Sequence, residues 1–87
     1  MVDTKERNKV VAFVLLNTVS ERTEPILEFM RQNDKIKEAY IIYGDWDILV
    51  KIEVESLPEL TNLVMSLRKE KGIKKTSTLI TVEDNAL

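Results

Sequence analysis

The sequence has no cysteine and no histidine, and it has only two glycines and two prolines in 87 residues. Without cysteine there is no disulfide and no thiol nucleophile, and without either residue the usual zinc ligands are missing. Imidazole, the commonest general base, is absent too. Paired acids such as Asp45 and Asp47 flank a turn, where solvated carboxylates are ordinary. Gly44 and Gly72 stand too far apart to build a glycine-rich phosphate loop. No stretch of about 20 apolar residues exists to span a bilayer. The first nine residues are mostly polar, with both signs of charge, unlike a secretory leader. The expectation is a cytoplasmic chain that is not an enzyme and has no metal, no cofactor and no membrane association.

What is present is charge in near balance, 13 basic against 15 acidic side chains and a net charge of −2. Duplex DNA binding draws most of its affinity from neutralising phosphates, so no direct contact with nucleic acid is expected. Arg68, Lys69, Lys71, Lys74 and Lys75 form a basic cluster interrupted by Glu70. Cations favour the negative end of a helix dipole, which makes a solvated helix end its ordinary reading. The length suits one domain. A chain this small buries only about 60% of its unfolded surface. With disulfides and zinc excluded, oligomerisation is the remaining way to enlarge the core.

The hydrophobic periodicity changes in a clear order. Residues 9–17 predict a buried strand, because Val10, Val11, Ala12, Phe13, Val14, Leu15 and Leu16 are apolar without a break. A helix starts between Glu21 and Glu24, with Pro25 near its first turn and Thr23, Ile26, Leu27 and Met30 on one face. Residues 36–43 predict a second strand. Gly44 and Asp45 then read as a two-residue hairpin turn with Tyr43 and Trp46 packing across it. Residues 46–54 alternate most cleanly, with Ile48, Val50, Ile52 and Val54 on one side.

Ser56 and Glu59 form a capping box. Leu57, Leu60, Leu63, Val64 and Leu67 mark the core stripe of a second helix, and Gly72 is expected to end it as a left-handed cap. Residues 73–82 predict the last strand, with Thr76 and Thr78 on the same side. Termini 1–8 and 83–87 are expected to fray.

The order is β-α-β-β-α-β, an α+β ferredoxin-like plan with a four-stranded antiparallel sheet and two helices on one face. Two helices cover one face only, yet the first strand is apolar on both. Its neighbours add either Tyr40 and Ile42 or Ala39 and Ile41 to the uncovered side. Such a patch is unusual on a soluble monomer, and an isologous dimer packed sheet to sheet would bury it.

Two local features can carry recognition. Asp47 sits at a strand mouth beyond Gly44, where a carboxylate can hold an ammonium group while turn N–H groups face a carboxylate. Thr76 and Thr78 offer two hydroxyls that can bind a zwitterion. Each also has an ordinary structural reading, as a hairpin and as a β-prone strand start.

Taken together, Ile36-Lys37-Glu38-Ala39-Tyr40, the Gly44-to-Asp47 turn, the capped leucine helix, Gly72-Ile73 and Thr76-x-Thr78 resemble the effector-binding (RAM) domain of the Lrp/AsnC regulators. The resemblance covers about residues 9–83. Usual members carry an N-terminal helix-turn-helix domain. Only eight residues precede the first strand here, so the sequence is similar to free-standing members.

The resemblance implies a homodimer in the form of a dimeric α/β barrel, commonly assembled to an octamer, with an amino acid held between dimers. It implies that Gly44 and Asp47 receive the ligand's charged backbone groups. Thr76 and Thr78 would add hydrogen bonds, and Asp45 and Trp46 would shape selectivity. Phe29 and Met65, off the main helical stripes, would sit at contacts between dimers. The function it implies is an amino-acid-sensing module that modulates transcription or amino-acid metabolism through co-assembly with full-length Lrp/AsnC regulators. The alternatives are a dimeric α/β-barrel enzyme, for which no histidine is available, and a purely structural oligomerisation module.

Overall fold

The computed structural model of the chain describes residues 9–82. The expected fraying of residues 1–8 and 83–87, and the polar start read as lacking a leader, lie outside the described residues. The elements are β1 (Val10–Thr18), a 3-10 turn (Ser20–Arg22), α1 (Thr23–Arg31), β2 (Ile36–Ile41), β3 (Ile48–Val54), α2 (Leu57–Arg68) and β4 (Ile73–Ile80). They form one four-stranded antiparallel sheet in the order β2-β3-β1-β4, with both helices on the same face. This is the ferredoxin-like plan. Among the described residues, no helix is long and apolar enough to cross a membrane.

The core lies between the helices and one face of the sheet. Ala12, Val14 and Leu16 from β1 meet Ile48, Val50, Ile52 and Val54 from β3, all fully or almost fully buried. Ile26, Leu27 and Met30 of α1 and Leu60, Leu63 and Leu67 of α2 close over them. Leu57, expected in that stripe, is instead 54% exposed. It is the first residue of α2, beyond the reach of the sheet.

The capping box forms, with a variation. Ser56 Oγ accepts from the Glu59 N–H, while Glu59 Oε1 accepts from the N–H of Glu55 rather than of Ser56. Its other oxygen pairs with Lys35 Nζ at 2.8 Å.

Several boundaries differ from the sequence expectation. β2 stops at Ile41, and near its start Lys37 is an extra residue: Ile36 faces Ile52 but Glu38 already faces Lys51. This bulge lets Ile36 and Ala39, three apart, both turn into the core. β4 ends at Ile80 rather than at residue 82. α2 is closed by Lys69, and Gly72 does not cap it. Gly72 instead has φ +96° inside the turn before β4, where its carbonyl accepts from the Val19 N–H. The two turns are so close that a Cβ on Gly72 would lie 2.6 Å from Arg22 Cβ.

The second face of the sheet carries Val11, Phe13 and Leu15, which β1's burial pattern leaves only partly covered in one protomer. By register, Leu79 and Leu49 lie beside this stripe and Tyr40 beside Leu49. This identifies Tyr40, not Ala39, as the β2 residue on that face. A polar row borders the stripe, with Lys51 Nζ 3.8 Å from Glu38 and 3.9 Å from Glu53. The Tyr40 hydroxyl donates to Glu38 at 2.7 Å. That bond and the adjacent negative charge raise the phenol's pKa above its ordinary value.

Two stability predictions follow from these contacts. Gly72→Ala adds left-handed strain and a side-chain clash, and should cost about 2 kcal/mol or more in chemical denaturation. Glu59 is held below its ordinary carboxylate pKa first by its hydrogen bond to Lys35, then by the Glu55 N–H. Lys35 is correspondingly raised above 10.5. The contribution of Glu59 is therefore present above its unfolded pKa and is lost as pH falls through its lowered folded value. Glu59→Gln should flatten the acid limb of the stability profile without altering stability's response between neutral and moderately alkaline pH.

Candidate functional site

The segment joining β2 to β3 is not the two-residue hairpin expected at Gly44 and Asp45. Ile41 and Ile48 are the last paired residues, and the Ile42 N–H donates to the Asp47 carbonyl at 2.9 Å. That leaves a four-residue loop from Tyr43 to Trp46. A tight type I′ turn needs positive φ at both central residues. Among the described residues only Gly44, at +122°, and Gly72 have it.

The loop is wide because it is tied to the end of β1. The Asp47 N–H donates to the Leu16 carbonyl at 2.9 Å. Asp47 Oδ2 accepts from the Thr18 N–H at 2.8 Å. Asn17 Nδ2 donates to the Asp45 carbonyl, also at 2.8 Å. Trp46 belongs to the loop rather than to β3. Its ring lies under Lys75 Nζ, 5.6 Å from the centroid. The expected packing of Tyr43 against Trp46 is replaced by this cation–π contact, and Tyr43 is fully exposed.

Thr18, the one buried polar residue among the described residues, fixes the same corner from the other side. Its hydroxyl is 2.6 Å from that of Thr23, which in turn donates to the Val19 carbonyl. β1, α1's first residue and the loop thus share one hydrogen-bonded network.

The structure divides the six residues singled out from the sequence into two groups. Gly44, Asp45, Trp46 and Asp47 stand together at the open end of the sheet. Thr76 and Thr78 pair with Leu16 and Val14, so they face the helix side of the edge strand. Thr76 lines a cleft with Arg68, Lys74 and Lys75, and Thr78 lines a groove beside α2. Lys75 links the groups through its contact with Trp46, and Leu16 through its pairing with Thr76 and its carbonyl's bond to the Asp47 N–H.

Sequence reasoning missed Asn17 and Thr18 as anchors of the loop, and Lys75 and Arg68 as neighbours of the threonines. A signal existed for two of them. Asn17 ends an unbroken apolar run. Arg68 follows Leu60 and Val64 at helical spacing, which puts it on their face. Phe29 and Met65 are exposed at 46% and 52%, as residues off the core stripes should be. Among the described residues, no group of three or more acidic side chains could hold a metal ion.

Comparison with known proteins adds the following. Residues 11–84 match the family described as the Lrp/AsnC ligand binding domain. A homocitrate synthase of Sulfolobus acidocaldarius is 44% identical over 43 residues, which are 49% of this chain and 9% of that protein. The chain thus spans about a tenth of the length of the curated relatives it matches. The crystal structure of FFRP-DM1 is 34% identical with a TM-score of 0.82, covering 84% of this chain and 99% of that one. A transcriptional regulator of Neisseria meningitidis, solved as its L-Met complex, shares the fold at 11% identity with a TM-score of 0.85. It covers the whole of this chain and 59% of its own.

The loop anchors generate a prediction. Asp47→Ala leaves the part-buried Thr18 N–H without its acceptor and should destabilise the protein by about 1–3 kcal/mol. Asp47→Asn keeps an acceptor oxygen and should lose less in the same denaturation experiment.

Proposed function

The chain belongs to the Lrp/AsnC ligand binding domain family, and from that premise we propose that it is an amino-acid-sensing, self-associating module that modulates transcription or amino-acid metabolism. The observation that carries this reading is the pinned loop at Gly44–Asp47. Its backbone is held open by three hydrogen bonds to β1, and Asp47 keeps a carboxylate oxygen at the strand mouth. In this reading Gly44 and Asp47 receive the carboxylate and ammonium groups of an amino acid, and Asp45 and Trp46 meet its side chain. Thr76 and Thr78 come from the edge strand of a neighbouring copy, since within one protomer they lie on the helix side. That the Neisseria regulator was solved with L-Met supports an amino acid as the ligand class.

Self-association is supported by the half-covered stripe of Val11, Phe13 and Leu15. Burying apolar surface is worth about 25 cal/mol per Å2, and a second copy placed sheet to sheet buries it in both chains, giving a dimeric α/β barrel. Assembly of dimers to an octamer would bring loops and edge strands of different copies together. Shared interfaces would also allow mixed assemblies with full-length Lrp/AsnC regulators. A second reading rests on the homocitrate synthase match. There the same kind of segment is part of a biosynthetic enzyme's chain, so the partner controlled could be an enzyme rather than a DNA-binding protein. In both readings this domain is regulatory and not catalytic.

Calorimetric titration against the common amino acids should reveal at least one ligand, with binding weakened about tenfold or more in Asp47→Asn through loss of a charge-assisted bond. No binding to any of them would refute the sensing role. Light scattering at micromolar concentration should give a particle of at least twice the 10.1 kDa of one chain, and Phe13→Asp should reduce it to a single copy. A wild-type particle of one chain's mass would remove self-association.

A further inference from the structure

We propose that the cleft between α2 and the edge strand β4 binds small carboxylates that carry an apolar chain and no ammonium group. β4 is the outer strand of the sheet beside β1. α2 runs alongside it and leaves two adjoining cavities. The larger, about 370 Å3, has apolar walls made by Leu60, Val64, Met65 and Ile80, with Thr78 at its side. The smaller, about 260 Å3, is lined by Lys74, Lys75 and Thr76. Arg68 lines both and stands where they meet.

This arrangement has a polarity that selects its occupant. One end offers a guanidinium, whose planar fork matches a carboxylate, together with Lys74 and a hydroxyl, while Lys75 lines the same end with its ammonium over Trp46. The full charges of Arg68 and Lys74 outweigh the partial negative charge at the C-terminal end of α2. The other end is mainly apolar, with the two threonines Thr61 and Thr78 and no charge beyond Arg68, in a volume typical of small-molecule sites. Among the described residues, no acidic side chain lines either cavity.

A free amino acid would therefore place its ammonium group beside Arg68 and Lys74 with no carboxylate to receive it. A simple branched or oxo acid of the same carbon skeleton meets no such penalty. The ligand class is thus the deaminated counterpart of an apolar amino acid. The cleft contains no residue of the Gly44–Asp47 loop; it shares Thr76 and Thr78 with the amino-acid-sensing reading, but its charge selection comes from Arg68 and Lys74, which that reading does not use.

The test is a heteronuclear NMR titration of the intact protein with isocaproate, alongside isocaproamide, acetate and L-leucine. Saturable shifts are expected from the second half of α2 and from residues 76–80 with isocaproate. Isocaproamide lacks the charge, acetate lacks the chain and L-leucine carries the ammonium, so each should bind more weakly. Arg68→Gln should weaken isocaproate about tenfold or more, as expected when a charge-assisted pair is lost, whereas Arg68→Lys should recover part of the affinity. Asp47→Asn should leave it unchanged. The proposal is overturned if isocaproate gives no saturable shift, if the amide or L-leucine binds the cleft as well, or if Arg68→Gln matches the wild type. Amino-acid binding at the loop is read separately, by the wild-type titration and its weakening in Asp47→Asn.

Discussion

Two helices can lie on only one face of a four-stranded sheet, and β1 is apolar on both. On the helix side Ala12, Val14 and Leu16 have no exposed surface. On the other side Val11, Phe13 and Leu15 are shielded only by their neighbours in the sheet. The flanking positions are not uniformly apolar. Glu38, Lys51 and Glu53 form a charged row with Tyr40 at its end. Such a row adds little stability when exposed. It would restrict the angles at which a second copy can sit, since a misplaced partner leaves those charges desolvated and unpaired. In the proposed dimer the apolar stripe would supply the drive for association, and the polar row its register.

β1 also sets the geometry of the loop. Because it is central, with β3 on one side and β4 on the other, its last residues touch everything at that end of the sheet. Leu16, Asn17 and Thr18 hold Asp47 and Asp45 by three hydrogen bonds. A loop held this way presents backbone groups in a fixed arrangement, which lowers the ordering cost of binding a small charged ligand. Asp47 has a double role. One oxygen serves the fold; in the proposed site the other would meet the ligand already positioned. This is why Asp47→Ala and Asp47→Asn separate architecture from recognition.

Much of this was legible in the sequence, because it is written in alternation and helical spacing. The β3 pattern of Ile48, Val50, Ile52 and Val54 needs only a period of two, and the stripes Ile26-Leu27-Met30 and Leu60-Leu63-Leu67 only one near 3.6. The Ser56 cap is a local motif read from adjacent residues. The failures share a cause, which is contact between residues distant in sequence. The bulge at Lys37 depends on how β2 meets β3. The width of the loop depends on β1, some 28 positions away. Gly72 looked like a helix cap because it follows a helix, yet its conformation answers to Val19 and Arg22. Of the candidate site, the residue types and the loop were visible. The separation of Thr76 and Thr78 from the loop was not, because only strand register shows which face they occupy.

The sheet's two edges are treated differently, and the difference bears on recognition. An unpaired strand edge invites pairing with other chains unless charge, a bulge or cover prevents it. β2 has the bulge and the exposed charges of Lys37 and Glu38. β4 has Lys74 and Lys75 at its start, but Thr76, Ser77, Thr78, Leu79 and Ile80 carry no charge at all. Its protection comes from α2, whose apolar residues extend past the core stripe. Leu60, Leu63 and Leu67 face inward, while Val64, Met65 and Arg68 overhang the edge. The overhang discourages a flat strand from approaching on that side but leaves a cleft beneath it. A feature that guards an edge therefore also creates a concave surface, apolar along its length and cationic at one end. Its chemistry differs from that of the loop, where Asp47 supplies a carboxylate. The proposed loop and cleft sites would thus have opposite charge preferences, the first set by the loop's ties to β1 and the second by the overhang of α2.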